Sequence, residues 1–134
     1  MQLRYIDQAL EQRKVIDETY RRFLKDVKGI RCIENTGQLV SNYPYFPILV
    51  ELDYPLTRDA LYDRMRQHNI YGRRYFYPLI SDFPMYRGLP SAQRDNLPAA
   101  NRIANQVICL PIYPGLTINN IKNVVKIITD KSFS

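Results

Sequence analysis

The chain has 134 residues, 46% hydrophobic and 24% charged, which fits one globular domain and excludes wholesale disorder. Its formal net charge of +6 fits an anionic partner, such as nucleic acid, a membrane surface or a phosphorylated ligand, or a fragment that lacks an acidic partner domain. No apolar run is long enough to cross a bilayer and the N-terminus has no apolar signal core, so we expect no membrane span and a cytoplasmic location.

The first half of the chain is predicted to hold a long helix and two extended segments. The helix is indicated by apolar residues that recur at steps of three and four, at Ile6, Leu10, Ile16, Tyr20, Phe23, Leu24 and Val27. It should end at Gly29, because glycine commonly ends helices. A short extended piece should span Ile30 to Ile33. Residues 45–52 predict a strand, and Pro47 should lie near its start or at a sheet edge because proline lacks an N–H donor.

The second half predicts three helices and two further extended segments. Thr57 should cap a helix that buries Leu61 and Met65 and ends at Asn69 in a left-handed conformation. Residues 73–77 read as extended, and a polar loop follows over 81–96. A third helix (99–105), a third strand (106–110) and a last helix capped by Thr117 complete the chain.

This order predicts an α+β fold in which helices cover one face of a small, mainly antiparallel sheet of three to four strands. The whole chain, 1–134, is expected to be a single domain. Sequence motifs for catalysis are scarce. His68 is the only histidine and should end a helix, while Cys32 and Cys109 have no metal-ligand spacing, and Cys109 should be buried. A disulfide between the two cysteines is left open, although a cytosolic setting disfavours it.

The segment from Tyr71 to Pro78 is the strongest candidate for binding. If it were a strand, Arg73, Tyr75 and Tyr77 would share one face, and Arg74 and Phe76 would share the other. Guanidinium groups beside phenols suit phosphate binding and ring stacking. Composition alone favours the alternative, an ordinary strand with exposed arginines. A second aromatic cluster at 41–46, in a chain of eleven tyrosines, indicates a surface that faces a protein or a ligand.

Several segments together resemble the C-terminal domain of the DegT/DnrJ/EryC1/StrS family of sugar aminotransferases. They occur in the family's order and spacing, at 13–20 (RKVIDETY), 41–48 (SNYPYFPI), 58–61 (RDAL), 74–79 (RYFYPL), 84–86 (PMY), 97–100 (LPAA) and 109–114 (CLPIYP). The resemblance implies the small domain of a fold-type I enzyme that depends on pyridoxal phosphate, with a large domain before it. In that family the lysine that binds the cofactor and the aspartate on its pyridinium nitrogen both belong to the large domain.

The resemblance therefore implies no catalytic and no cofactor-binding residue in this chain, and the isolated chain is expected to bind no cofactor and not to transaminate. None of its lysines stands in a matching context; they are Lys14, Lys25, Lys28, Lys122, Lys126 and Lys131. The small domain would close the substrate cleft, with contacts to a nucleotide sugar from Arg73, Arg74, Tyr75, Phe76, Tyr77 and Tyr86. The chain departs from the family at Ile80, where members often carry histidine. The segment 73–80 is similar to members that act on deoxythymidine-diphosphate keto-deoxysugars.

Two other functions are left open by the sequence. The first is an independent basic, aromatic-rich module that binds a polyanion such as single-stranded nucleic acid. The second is an interaction domain that pairs with another chain. The resemblance favours the aminotransferase domain, for which we expect a nucleotide-sugar substrate, a large partner domain and no nucleic acid. Whether the protein forms a homodimer is left open.

Overall fold

The computed structural model describes residues 5–34, 41–75 and 77–130. Their helices and strands are, in chain order, α1 (Ile6–Leu24), β1 (Ile30–Cys32), β2 (Phe46–Val50), α2 (Arg58–Gln67), α3 (Pro98–Gln106), β3 (Val107–Leu110) and α4 (Ile118–Thr129). Among the described residues of the long connection between α2 and α3, helical structure is limited to short 3₁₀ turns, at Ile80–Asp82, Pro90–Ala92 and Arg94–Asn96. The predicted α+β class is confirmed, and so is the order of the predicted helices.

The three strands form one antiparallel sheet in the order β1-β2-β3. Ile48 lies at the centre of this sheet, opposite Cys32 on β1 and Ile108 on β3. Pro47 is the second residue of the central strand and pairs with Cys109. Its predicted place near the start of a strand is therefore confirmed.

Both faces of this sheet are covered, so the prediction of one covered face is wrong. Alternate residues of β2 and β3 join the apolar faces of the helices in one core cluster, with Tyr20, Phe46, Ile48, Leu61, Met65, Ile108, Ile121 and Ile128 almost completely buried. Leu49, Val107 and Cys109 point to the other face and are buried as well. Burial raises the pKa of the Cys109 thiol to about 11, so that this cysteine is a neutral, buried group, as predicted.

Two predicted threonine caps set the starts of α2 and α4. The Oγ1 atom of Thr57 accepts a hydrogen bond from the Ala60 N–H, and that of Thr117 accepts one from the Asn120 N–H, each at 3.2 Å. These bonds satisfy backbone donors that a helix cannot pair internally. Beyond α2, Asn69 takes the left-handed φ of 58° that the sequence predicts. His68 lies at the end of α2, with its Nδ1 atom 2.9 Å from the Arg64 carbonyl oxygen.

The predicted role of Gly29 as the end of the first helix is wrong, because α1 ends at Leu24. Gly29 does have a positive φ of 77°, but what requires a glycine here is its close contact with the backbone of Tyr54, 25 residues further along the chain. A Cβ atom at Gly29 would lie 2.3 Å from the Tyr54 nitrogen, where no side chain fits. The Gly29 carbonyl also accepts a hydrogen bond from the Glu51 N–H at 2.8 Å. Gly29 thus lets β1 approach the turn after β2.

The predicted extended stretch over 73–77 is confirmed only at its first residue. The Arg73 N–H donates to the Cys109 carbonyl at 2.9 Å, and the Cys109 N–H donates to the Arg73 carbonyl at 2.8 Å. The chain then turns at Tyr75. Because the segment leaves the sheet after one bridge, the strand alternation that would group Arg73, Tyr75 and Tyr77 does not apply.

Over the described ranges, no helix has both the length and the apolar character needed to cross a membrane. Within the same residues, no group of three or more histidine, cysteine or carboxylate side chains could hold a metal ion.

Candidate functional site

Arg74 lies at the centre of a cluster of charged and aromatic side chains. Its Nη1 atom donates a hydrogen bond to Asp59 Oδ1 at 3.0 Å. Its guanidinium carbon lies 4.5 Å from the ring centroid of Tyr62 and 4.6 Å from that of Tyr77. The guanidinium is therefore held between two tyrosine rings by one carboxylate. We call Arg58, Asp59, Tyr62, Arg74 and Tyr77 the arginine–tyrosine cluster.

Arg58 is the buried member of the arginine–tyrosine cluster, with only 3% of its surface exposed. Its guanidinium carbon lies 4.9 Å from the centroid of the Tyr77 ring, and its Nη1 atom donates to the Val107 carbonyl at 3.4 Å. Its Nε atom is 2.9 Å from Asp59 Oδ1 but is not oriented to donate a hydrogen bond. Burial lowers the pKa of the Arg58 guanidinium, and the charge of Asp59 opposes this shift.

These contacts give the cluster an excess of positive charge. Two guanidinium groups, of Arg58 and Arg74, share the single carboxylate of Asp59. An arrangement of this kind attracts an anion, and the rings of Tyr62 and Tyr77 offer flat surfaces for stacking. Guanidinium groups beside phenol rings, which the sequence predicts for the segment 71–78, are therefore present. The residues that form this arrangement differ from the predicted ones, because α2 contributes three of them.

The predicted site residues Arg73 and Tyr75 lie outside the arginine–tyrosine cluster. The Tyr75 hydroxyl donates to the Tyr45 hydroxyl at 2.6 Å, and the centroids of the two rings are 4.5 Å apart. This hydrogen bond raises the pKa of Tyr75, and the nearby Arg73 guanidinium opposes the shift. Arg73 itself is exposed. The aromatic cluster predicted at 41–46 is thus in contact with the candidate segment through Tyr45.

Tyr77 also lines a groove of about 420 Å³ next to the arginine–tyrosine cluster. Pro78 and Leu79 continue one wall of the groove, Asn101 and Asn105 of α3 form another, and the exposed side chains of Arg87 and Arg94 stand at its rim. A larger cavity of about 690 Å³ lies elsewhere, between the end of α2 and α4, and none of the predicted site residues lines it.

The last two predicted residues have different outcomes. Tyr86 is 41% exposed on the loop after the groove and does not line it. Phe76 lies outside the described residues.

Sequence reasoning missed the part of the cluster that α2 contributes. Asp59 and Tyr62 are three residues apart, which places them on one face of a helix. That spacing could have indicated a joint role for the two side chains. Nothing local in the sequence reveals the burial of Arg58, because its neighbours Val107 and Tyr77 are distant along the chain.

The described residues do not fit a binding site for pyridoxal phosphate. The lysines among them lie on α1, on the turn after it or on α4, and none lines the groove beside Tyr77. Their side chains are exposed or half-exposed, whereas a Schiff-base lysine needs a desolvated pocket that lowers its pKa. Lys131 lies outside the described residues.

Comparisons with known proteins find relatives that align with nearly the whole of this chain. The chain is 44% identical over 131 residues to dTDP-4-amino-4,6-dideoxy-D-glucose transaminase of Escherichia coli, and 41% identical over 130 residues to the enzyme of the same name from Shigella dysenteriae. The two alignments cover 98% and 97% of this chain, but only 35% of each relative, so the chain spans about a third of their length.

A solved structure of DesI, determined in the presence of its TDP-sugar product, shares the fold with a TM-score of 0.86 at 22% identity. That likeness covers 95% of this chain and 32% of the DesI chain, and at this identity it speaks for the fold alone. The profile of the DegT/DnrJ/EryC1/StrS aminotransferase family matches residues 1–129. From its first helix to its last, this chain belongs to the DegT/DnrJ/EryC1/StrS aminotransferase family.

Proposed function

We propose that this chain is the C-terminal small domain of a nucleotide-sugar aminotransferase and that a large domain precedes it in the whole enzyme. The observation that carries the proposal is the 44% identity, over 131 residues, to a dTDP-4-amino-4,6-dideoxy-D-glucose transaminase. The whole enzyme would move an amino group from glutamate to C4 of a dTDP-linked keto-deoxysugar. The alternative, a nucleic-acid-binding module, has no support from these relatives.

The cofactor of such an enzyme is pyridoxal phosphate, which supplies the electron sink for amino transfer. The large domain would hold it, because the lysines described here do not fit that role. The part left to this chain is to close one side of the substrate cleft. Closure of this kind excludes water and orients the substrate.

The surface we assign to substrate is the exposed side of Arg74 and Tyr77 together with the adjoining groove. A nucleotide sugar carries a diphosphate, which a guanidinium can bind in a bidentate way, and rings that can stack on tyrosine. The Arg74 side chain is 31% exposed and half of the Tyr77 surface is exposed. Arg73, Tyr75, Phe76 and Tyr86 remain predicted contacts on the same segment and its loop.

Replacement of Arg74 tests this assignment. In the full-length enzyme, Arg74→Ala should raise the KM for the dTDP-keto-sugar about ten- to hundredfold, since one charge-assisted hydrogen-bonding group is worth about 1.5–3 kcal/mol. Product formation can be followed by anion-exchange chromatography. The absorbance of bound cofactor checks that the large domain is intact.

Arg31→Ala is the matched control. Arg31 also pairs with a carboxylate, Glu51, with its Nε atom 2.6 Å from Oε1, but it lies on β1, at the far edge of the sheet from β3. It should leave the KM unchanged. If Arg74→Ala behaves like Arg31→Ala, the assignment of this surface to substrate is wrong.

A further inference from the structure

Arg58 is the most deeply buried arginine of the described residues, and substrate cannot reach it. Arginine is almost never buried to this degree unless it is paired, and Asp59, the carboxylate 2.9 Å from the Arg58 Nε atom, is itself 55% exposed and is shared with Arg74. The buried guanidinium also contacts the Val107 carbonyl and the Tyr77 ring, while its Nε atom makes no hydrogen bond. A buried cation with incomplete hydrogen bonding is costly, so its retention requires a physical reason.

The ring on Arg58 is that of Tyr77, which also contacts Arg74. Arg74 and Tyr77 belong to the same segment, so a displacement of that segment carries both along. Arg58 instead belongs to α2 and donates to a backbone carbonyl of the buried strand β3. Arg74 also reaches α2, but through the exposed carboxylate of Asp59 and the half-buried ring of Tyr62. Of the two guanidinium groups on the Tyr77 ring, that of Arg58 is therefore the one hydrogen-bonded to the buried sheet.

We propose that Arg58 is a positioning residue that fixes the Tyr77 ring at the mouth of the groove from inside the fold. The guanidinium groups of Arg58 and Arg74 both lie against this ring, 4.9 Å and 4.6 Å from its centroid, and the 50% of the Tyr77 surface that stays exposed is the part offered to a ligand. The placement of the ring follows from the contacts of this chain. Its effect on substrate rests on the proposed function.

Two substitutions separate positioning from a merely structural role. Arg58→Gln keeps an amide donor for the Val107 carbonyl but removes the charge that attracts the ring. Arg58→Lys keeps the charge and should rescue the position of the ring in large part. Arg64→Met is the matched control on the same helix, because Arg64 pairs with Asp130 at 3.3 Å and has a largely buried side chain.

The direct readout is the environment of the Tyr77 ring in this 134-residue chain. The chain is labelled with 3-fluorotyrosine, and the Tyr77 signal in the fluorine NMR spectrum is identified by its loss in Tyr77→Phe. We expect Arg58→Gln to move this signal toward that of free fluorotyrosine, and Arg58→Lys to return most of the shift. Arg64→Met should leave the signal in place. A signal that does not move in Arg58→Gln overturns the inference.

A double-mutant cycle decides the question if Arg58→Gln does not fold. Arg58→Met, which removes the charge and fills the buried site with an apolar side chain, is combined with Tyr77→Ala, and the unfolding constants of the single and double variants are compared in urea. We expect coupling of at least about threefold, because the two groups are in direct contact. Additive effects within that factor contradict a contact that holds the ring.

The consequence for substrate is measured in the full-length enzyme. Arg58→Gln should raise the KM for the dTDP-keto-sugar about tenfold and leave kcat within about threefold, since the group does not touch substrate. If the Tyr77 signal moves but the KM does not, Tyr77 has no substrate role and the proposed surface is wrong. If the signal stays in place while Arg74→Ala raises the KM, the proposed function stands and the role given to Arg58 falls.

Discussion

Replacement of Gly29 by alanine should be among the most damaging small substitutions in this chain. An alanine at this φ of 77° costs about 1–2 kcal/mol for the left-handed conformation alone. Its Cβ would also lie 2.3 Å from the Tyr54 nitrogen and 2.4 Å from the Tyr54 Cα, about 1 Å inside ordinary contact. These are backbone atoms, so no rotamer change can relieve the overlap.

The backbone of Tyr54 cannot retreat without other losses. Its N–H donates to the Glu51 carbonyl at 3.1 Å, and its hydroxyl donates to the Ile128 carbonyl at 2.6 Å. We therefore expect Gly29→Ala to lower the free energy of unfolding by about 3–5 kcal/mol, in the range of the most severe point substitutions. Domains of this size lose roughly 3–5 °C in Tm per kcal/mol, so the Tm should fall by about 10–25 °C.

Gly115→Ala is the control that separates strain from overlap. Gly115 has a similar φ of 89°, but no atom lies within 4 Å of the Cβ that alanine would add. It should lose only about 1–2 kcal/mol. Urea unfolding followed by circular dichroism measures both variants. Equal losses at the two positions would refute the reasoning from the Tyr54 contact.

Two more predictions concern the interior and a helix end. Burial keeps Cys109 neutral in the folded chain up to a pKa of about 11, while the unfolded thiol ionises near 8.5. The thiol therefore makes its full contribution to the free energy of unfolding at neutral pH and loses it as the pH rises from about 9 to about 11. In urea titrations, Cys109→Ala should reduce the fall in the free energy of unfolding over this pH range. Thr117→Ala should cost about 1 kcal/mol and Thr117→Ser should recover most of it, because the hydroxyl caps α4. A Thr117→Ala variant as stable as the parent would contradict that role.

The elements that sequence reasoning predicted correctly depend on neighbours along the chain. Thr57 and Thr117 cap helices through N–H groups three residues away. Asn69 ends its helix through its own φ preference, since asparagine tolerates the left-handed region. Strands β2 and β3 are continuous apolar runs because the sheet is covered on both faces.

The failures have the opposite cause, which is dependence on distant residues. Gly29 looks like a helix stop, but Tyr54 is what requires a glycine there. The alternation predicted for 73–77 assumes a full ladder, whereas only Arg73 pairs, with Cys109. The burial of Arg58 depends on Val107, which is 49 residues away. The sequence therefore predicted that arginine and tyrosine side chains form the site, but not which residues come together in it.

Cys109 has two strand partners, because it pairs with Pro47 on one side and with Arg73 on the other. The interior of the sheet and the segment that leads to Tyr77 are thus joined at one residue of β3. A shift in the register or tilt of β3 would carry Arg73 with it and reshape the groove without any change in the groove's own side chains. Under the proposed function, a laboratory selection for altered sugar preference should therefore yield substitutions in β3 alongside those at the rim.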